Sequence, residues 1–135
     1  MEEVTGPGGL EEERSESFYG NIGRCLHFMG QVDPALACYR TSAALAQESE
    51  AAYGLENQAF IREWIGELLE ARGDGGTAIA FLAASAAKWA RISPDRSERV
   101  AARAAALAAG YPTCGTVPDE QTSEATVLSW IAGNV

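Results

Sequence analysis

Two stretches of this chain carry the same residue types at positions 43 residues apart. Gly23 and Gly66 define the alignment, and the residues just before them are Ile22 and Ile65. The remaining matched pairs are Leu26 with Leu69, Gly30 with Gly73, Ala35 with Ala78, Leu36 with Ile79, Tyr39 with Leu82, Ser42 with Ser85, and Ala43 with Ala86. Repetition at a fixed period predicts two copies of one supersecondary unit, stacked so that each helps to bury the other.

The order of small and large side chains within the unit predicts a pair of antiparallel helices. A glycine in the middle of the first helix, Gly23 or Gly66, lets a partner helix approach closely. The glycine between the helices, Gly30 or Gly73, suits a tight left-handed turn. Large apolar residues at the intervening positions are expected to fill the groove between the helices. The apolar positions of the first helix form a helical stripe of Phe18, Ile22, Cys25, Leu26 and Met29.

Capping residues, glycine stops and apolar periodicity divide the chain into six helices. Asp33 and Ser93 each precede a proline that suits the start of a helix, so both are predicted N-caps. Asp74 or Thr77 is the predicted cap of the fourth helix. No sustained period-two alternation predicts a strand. The helices are expected at about 12–29, 34–49, 51 or 55 to 72, from the turn at 74–77 to 91, 94–109, and 118 or 122 to 132.

The repeated unit resembles the tetratricopeptide repeat family. The matching residues of the first copy are Tyr19-Gly20-Asn21-Ile22-Gly23, Gly30, Ala35-Leu36, Tyr39 and Ala43, and those of the second are Trp64-Ile65-Gly66, Gly73, Ala78-Ile79, Leu82 and Ala86. The resemblance covers about residues 16–92 and implies an all-α fold of antiparallel helix pairs, stacked as a short α-solenoid of about six helices. The period of 43 exceeds the family's usual 34, similar to the repeats of kinesin light chain. Gln47 and Ala90 stand where the family often has proline.

These signals predict one helical domain at 11–135, after an acidic, disordered head at 1–10. Repeat one spans about 12–49 and repeat two about 51–92. Residues 94–132 do not follow the repeat, and they are expected to form a degenerate pair or a cap over the exposed face of repeat two.

The net charge of −9 argues against binding to nucleic acid or to an anionic membrane surface. Nine of the ten cations are arginine, a coding bias typical of a GC-rich bacterial genome. Cys25, Cys38 and Cys114 are too few and odd in number for a disulfide framework, so reduced cysteines and a cytoplasmic location are expected. The start of the chain does not resemble a signal peptide, and no apolar run is long enough to span a membrane.

The resemblance also implies a concave groove lined by the first helix of each pair. The residues expected there are Ser17, Asn21, Arg24, His27, Phe60, Glu63, Trp64, Glu67 and Glu70. In the family, the asparagine that Asn21 matches holds the backbone of an extended peptide, but Trp64 replaces it in repeat two. The glutamates form either an acidic surface for a basic or mixed-charge peptide, with Arg24 neutralising one of them, or a solvated helix face.

No catalytic constellation is recognisable. His27 is the only histidine, and Cys25 is two positions away on a helix, so the two side chains face different directions. No phosphate-binding loop, nucleotide fingerprint or metal motif is present, so neither a cofactor nor an enzymatic activity is expected.

By family resemblance, the expected function is that of an adaptor or regulatory module that binds a protein or peptide in its groove. Two alternatives remain open. The first alternative is that the chain is a repeat segment of a larger bacterial signalling ATPase or regulator. The second is that it is a homo-oligomeric structural module. In the second case, Trp130 and Ile131 of the last helix are the expected contacts of a homodimer.

Overall fold

The computed structural model describes residues 10–47, 52–111 and 116–133, and the regular elements within these ranges are all α-helices. They are α1 (Leu10–Phe28), α2 (Val32–Gln47), α3 (Ala52–Arg72), α4 (Gly75–Trp89), α5 (Pro94–Ala109) and α6 (Glu120–Ile131). The all-α prediction is confirmed. The head predicted at 1–10 lies outside the described residues except for Leu10, where α1 begins. Among the described helices, none combines the length and the apolar character that crossing a membrane requires.

The turns inside the two repeats are built alike. Gly30 has a φ of +78° and Gly73 a φ of +95°, a conformation that glycine adopts without a steric penalty. The N–H of the residue after each glycine donates to a carbonyl oxygen of the preceding helix, that of Leu26 at 2.9 Å and that of Leu69 at 2.8 Å. Because the acceptors are also 43 residues apart, the spacing reflects a common helix-ending motif.

The predicted N-caps are only partly correct. The Ser93 hydroxyl accepts a hydrogen bond from the N–H of Arg96 at 3.4 Å, as expected for the start of α5. Asp33 is not a cap, because α2 begins one residue earlier, at Val32, and Asp33 lies in its first turn. Asp74 precedes α4, but its side chain makes no capping hydrogen bond and instead lies 3.4 Å from Arg72.

The glycine in the middle of each first helix makes room for the matched residue of the second helix. A Cβ on Gly23 would lie 2.6 Å from the ring of Tyr39, and a Cβ on Gly66 would lie 3.0 Å from Leu82. Tyr39 and Leu82 are both completely buried. The close approach predicted from the repeat therefore occurs in both helix pairs.

The first helices of the pairs and α5 lie side by side and run in the same direction. Glu67 of α3 is paired with Arg24 of α1 on one side and with Arg103 of α5 on the other. Behind them, α2 runs antiparallel to α3, because the end of α2 meets the start of α3 and the reverse. The contacts that show this are Gln58 Nε2 to the Ala46 carbonyl at 3.0 Å and Arg72 to Asp33 at 2.9 Å.

The two C-terminal helices, expected to form a pair or a cap, act separately. α5 packs against α4 and covers repeat two, with Val100 and Ala104 in a core shared with Leu82 and Trp89. α6 does not pair with α5 but packs against α4 and, to a smaller extent, α2. It begins at an N-cap that the sequence analysis does not predict, Asp119, whose carboxylate accepts from the Thr122 N–H at 2.7 Å; this hydrogen bond lowers the carboxyl pKa.

An aromatic contact and an ion pair are among the contacts that hold α6 in place. The Trp130 ring packs edge-to-face on Phe81 at 5.3 Å, and Trp130 is buried rather than displayed for a dimer partner. Glu124 forms an ion pair of 2.7 Å with Arg62, a fully buried arginine of α3. Lys88 lies 3.8 Å from the same carboxylate, and burial lowers the lysine's pKa. The arginine and its partner tie the third and sixth helices together across the molecule.

The apolar stripe of the first helix does not fill a groove along its whole length. Phe18 and Met29 are 58% and 69% exposed, and Cys25 is exposed as well. The side of α1 that meets α2 carries the small residues Gly20 and Gly23, and Leu26 of the stripe packs against the core. The prediction was wrong for Phe18, Cys25 and Met29, which lie outside the contact between α1 and α2.

Candidate functional site

Eight of the nine predicted groove residues lie on the surface that α1, α3 and α5 form together, called here the inner face. Its residues are Asn21, Arg24, His27, Phe60, Glu63, Trp64, Glu67 and Glu70, joined by Phe28, Arg96 and Arg103. Ser17 belongs to α1, but its side chain lies outside the described residues. The surface arises because residues three or four positions apart share a helix face and the three helices run parallel.

Guanidinium groups and aromatic rings stack in a row across the inner face. The Arg24 guanidinium lies 4.6 Å from the ring centres of both Phe28 and Trp64. Trp64 stacks on Phe60 with their centres 5.2 Å apart, and Arg96 covers Phe60 at 4.7 Å. Each cation–π contact at a partly exposed site is worth about 0.5–1 kcal/mol. The row joins three helices that are distant in sequence.

The far end of this row is anchored in the core by Trp89 of α4. Arg96 lies 4.6 Å from the centre of Trp89, and Phe60 meets that ring edge-to-face at 4.8 Å. The indole N–H donates to Glu63 at 3.3 Å. Trp89 is buried, so the inner face is a surface layer of the core rather than a row of free side chains.

Each carboxylate of the predicted acidic stripe is paired with an arginine. The pairs are Glu63 with Arg96 at 3.6 Å, Glu67 with Arg24 at 3.6 Å and with Arg103 at 3.1 Å, and Glu70 with Arg103 at 3.1 Å. Arg24 neutralises one glutamate, as the sequence suggests. Arg96 and Arg103 are absent from the predicted groove because α5 lies outside the repeat. The sequence shows that the two arginines share one face of the fifth helix. The repeat does not show where that helix lies, so their place on the inner face could not be predicted.

The inner face is therefore not the acidic surface that one reading of the sequence describes. Its three glutamates are matched by three arginines, in a chain whose net charge is −9. The Glu63 side chain is only 14% exposed, whereas those of Glu70 and Arg103 are more than 40% exposed. A bound molecule would meet both signs of charge at one end and mostly aromatic surface in the middle.

His27 connects the inner face to α2. Its Nδ1 atom is 3.2 Å from Arg24 and 3.0 Å from the Tyr39 hydroxyl. Arginine can only donate, so Nδ1 accepts and the imidazole is neutral. Burial, followed by the charge of Arg24, lowers the pKa of His27, and burial raises the pKa of Tyr39 to about 12. The histidine acts as a bridge between helices, and no nucleophile touches it in these contacts.

A small cavity opens between α1 and α3 beside the aromatic row. Its volume is about 140 Å³, enough for one aliphatic side chain, and its lining is Gly20, Asn21, Ser42, Asn57, Phe60, Ile61 and Trp64. Asn57 was not predicted. It lies two turns before Trp64 on α3, so a second amide reaches the site although Trp64 occupies the asparagine position of repeat two. Two amides beside an aromatic wall are able to bond a peptide backbone and to pack one of its side chains.

The inner face also borders a depression of about 440 Å³, lined by Glu70, Arg103, Ala106, Leu107, Gly110 and Tyr111. Other depressions lie elsewhere. One of about 620 Å³ is lined by residues of α6 and of the turn just before it, so no second helix faces it and the predicted groove residues are not part of it. Within the described part of the chain, no three histidine, cysteine or acidic side chains are grouped to hold a metal ion.

Comparisons with known proteins do not identify a relative. Family models, curated proteins and solved structures were each searched, and none matches this chain. The inner face is thus the basis for any functional conclusion.

Proposed function

We propose that this chain is a protein-interaction module that binds a peptide or a helix along the inner face. The observation that supports this most directly is the aromatic and guanidinium row across α1, α3 and α5, next to a cavity with two asparagine amides. Aromatic and arginine side chains are the residue types enriched at binding hot spots. A mostly apolar wall with a few placed polar groups is the usual composition of a recognition site.

Of the two kinds of peptide expected from the sequence, basic and mixed-charge, the geometry favours the mixed-charge one. Because the three glutamates already have arginine partners, a purely basic peptide would have to compete with Arg24, Arg96 and Arg103. Exposed pairs of this kind contribute only about 0–1 kcal/mol each, so a ligand that carries both charges can exchange partners at little cost. The apolar centre would supply most of the affinity.

The proposal includes the tetratricopeptide resemblance and the adaptor or regulatory role that it implies. It also includes a cytoplasmic location, which the reduced cysteines favour. The alternative of a repeat segment in a larger signalling protein would use the same surface. A homo-oligomeric structural module is the second candidate function, favoured by the exposed apolar residues of α1.

A peptide library displayed on phage and selected on the whole chain would test the proposal. Selected peptides are titrated by fluorescence anisotropy against the wild type, Trp64→Ala and Asn21→Ala. We expect Trp64→Ala to weaken binding at least about tenfold and Asn21→Ala a few-fold, since a hot-spot aromatic costs about 2 kcal/mol or more to remove.

Thr41→Ala is the matched control, because Thr41 is exposed on α2, away from the inner face. Thermal melts of all variants show that they are folded. If the selected peptides bind Trp64→Ala and Asn21→Ala as tightly as the wild type, the inner face is not the binding site.

A further inference from the structure

One side of α1 displays apolar residues at the spacing of an interacting helix. Phe18, Ile22, Cys25 and Met29 are at positions i, i+4, i+7 and i+11, and we call this set the α1 stripe. Phe18, Cys25 and Met29 are exposed and Ile22 is partly buried. Bulky apolar residues grouped in this way, instead of scattered singly, are typical of an interaction surface.

The second repeat shows what this side of the unit does when it is covered. The residues 43 positions beyond Phe18, Ile22 and Cys25 are Ile61, Ile65 and Leu68, and all three are at most 3% exposed. They belong to the main core cluster together with Leu36, Tyr39 and Ala43 of α2. At these three positions the same side of the repeat is a buried interface in one copy and a more open surface in the other, whereas the position that matches Met29 is Arg72, whose side chain is 49% exposed.

The helix that covers the second copy has a defined direction. α2 packs on α3 in antiparallel orientation, as the contacts at the two ends of the helices show. A neighbour that repeated this packing on α1 would be an antiparallel helix with an apolar face. The flank of α2 continues the surface, since Cys38 and Leu45 are partly exposed there, and the position equivalent to Cys38 is the buried Phe81.

We propose that the occupant is a second copy of this chain, docked through its own α1 stripe about a two-fold axis. A two-fold axis across α1 places the partner's α1 antiparallel to it, which reproduces the packing of α2 on α3. The stripe is symmetric about residues 23 and 24, so that Phe18 faces the partner's Met29 and Ile22 faces the partner's Cys25. Isologous two-fold dimers are the commonest oligomers, and they need a single self-complementary patch such as this one.

Trp130 does not offer a competing interface in this structure. The tryptophan expected to mediate dimerisation from the last helix is 7% exposed, covered by Phe81 and by the Arg40 guanidinium at 4.0 Å. Leu128 is the exposed large apolar residue of α6, at 42%, with the exposed Ala125 and the partly exposed Ile131 one turn to either side. We therefore place the proposed self-association on α1 rather than on the last helix.

The dimer should be weak and reversible. The stripe runs along the twelve residues from Phe18 to Met29, roughly 17 Å of helix. We expect so short a contact to bury less than the roughly 800 Å² per partner of a standard stable interface. We expect a dissociation constant in the micromolar range. The inference does not depend on the proposed peptide binding, because Arg24 packs on Trp64 of α3 and neither residue belongs to the α1 stripe.

Sedimentation equilibrium of the full chain from about 1 to about 300 µM would test the proposal. We expect the weight-average mass to rise from monomer toward dimer. Phe18→Glu or Met29→Glu should shift the dissociation constant at least about tenfold, because a charge is then buried in the apolar contact. Leu128→Glu is the control, an equal change at the exposed apolar site on α6, and should have no effect.

Cross-linking tests the same contact in a chain whose stripe is unchanged, so its main result does not depend on how well the glutamate variants fold. A variant with Cys25 as its only cysteine (Cys38→Ser, Cys114→Ser) is treated with a bifunctional maleimide that spans about 10 Å, the separation of packed helix axes. Cross-linked dimer is expected, and Met29→Glu in the same background should abolish it.

A chain that stays monomeric at about 300 µM would overturn the proposal. So would a dimer that Leu128→Glu breaks while the stripe variants remain dimeric, because the interface would then be on α6. A mass that rises beyond dimer without a plateau would also contradict it, because a two-fold contact closes after two copies.

Discussion

Repeat one and repeat two share a residue pattern but not an environment. Repeat two is enclosed, with repeat one on one side and α5 on the other, whereas the helices that the structure describes cover repeat one on one side only. Ile65 of repeat two is completely buried. Ile22, the same residue type at the matched position of repeat one, is partly exposed. The pattern therefore sets how helices pair within a unit, and the neighbours set which side of the unit becomes core.

The largest difference between the repeats should appear when these two isoleucines are shortened. Ile65→Ala removes a fully buried side chain and leaves a cavity, and we expect it to lower the free energy of unfolding by about 3 kcal/mol. Ile22→Ala should cost about 1 kcal/mol, because water already reaches that site. Urea denaturation at about 0.1 µM, below the expected dissociation constant of the dimer, measures both on the monomer. Equal losses would mean that the two sides are buried alike in solution.

The second test concerns a charge found in only one of the repeats. Arg62 is buried, whereas the matched residue of repeat one is Tyr19, which is 36% exposed. Glu124→Ala leaves the guanidinium without its carboxylate, and we expect a loss of about 2 kcal/mol, somewhat under the usual cost of breaking a buried pair because Glu124 is 24% exposed. Glu120→Ala, at an exposed acidic position of the same helix, should change stability by less than about 0.5 kcal/mol. Urea denaturation compares the two variants, and similar losses would show that α6 is not fixed by this ion pair.

The two central glycines provide the third comparison. Gly23→Ala drives a methyl group into the Tyr39 ring, which is completely buried and has no room to move. Overpacking costs about 1–3 kcal/mol, and better helix propensity returns about 1 kcal/mol, so we expect a net loss of about 1 kcal/mol. Gly66→Ala meets the branched end of Leu82 at 3.0 Å, and its net effect should be near zero. Thermal melts give the order, and a larger loss at Gly66 would contradict it.

Sequence was a good guide where short-range geometry decides the structure. The left-handed turn at Gly30 and the capping hydroxyl of Ser93 need only a few neighbouring residues, and both are present in the structure. The closeness of Gly23 to Tyr39 was also predictable, because the repeat gives the register of the helix pair. These features are fixed by residues within one helical unit.

Long-range features escaped prediction because local pattern does not show which neighbours a helix has, and the repeat gives no template for α5 and α6. Arg96 and Arg103 complete the inner face, yet their helix lies beyond the repeat. Arg62 looks like a surface residue until α6 is known to cover it. The α1 stripe has the periodicity of a buried face, and periodicity does not reveal whether a neighbour exists to bury it.

The smallest expected effect concerns His27, whose matched residue in repeat two is Glu70. Because the folded chain holds the pKa of His27 below its ordinary value of 6.5, protons bind the unfolded chain more strongly. The stabilising contribution is complete above about pH 6.5 and is lost as the pH falls through the lowered pKa. Urea denaturation at about pH 7.5 and pH 5.5, both above the usual carboxylate range, should show lower stability at the acidic value. His27→Gln keeps a hydrogen-bond acceptor near Tyr39 and cannot titrate, so it should lose less stability between the two pH values than the wild type. If the variant and the wild type lose the same amount of stability, the histidine is not held as a neutral bridge between α1 and α2. Repeat one would then lack a contact that repeat two, with Glu70 at the matched position, does not have.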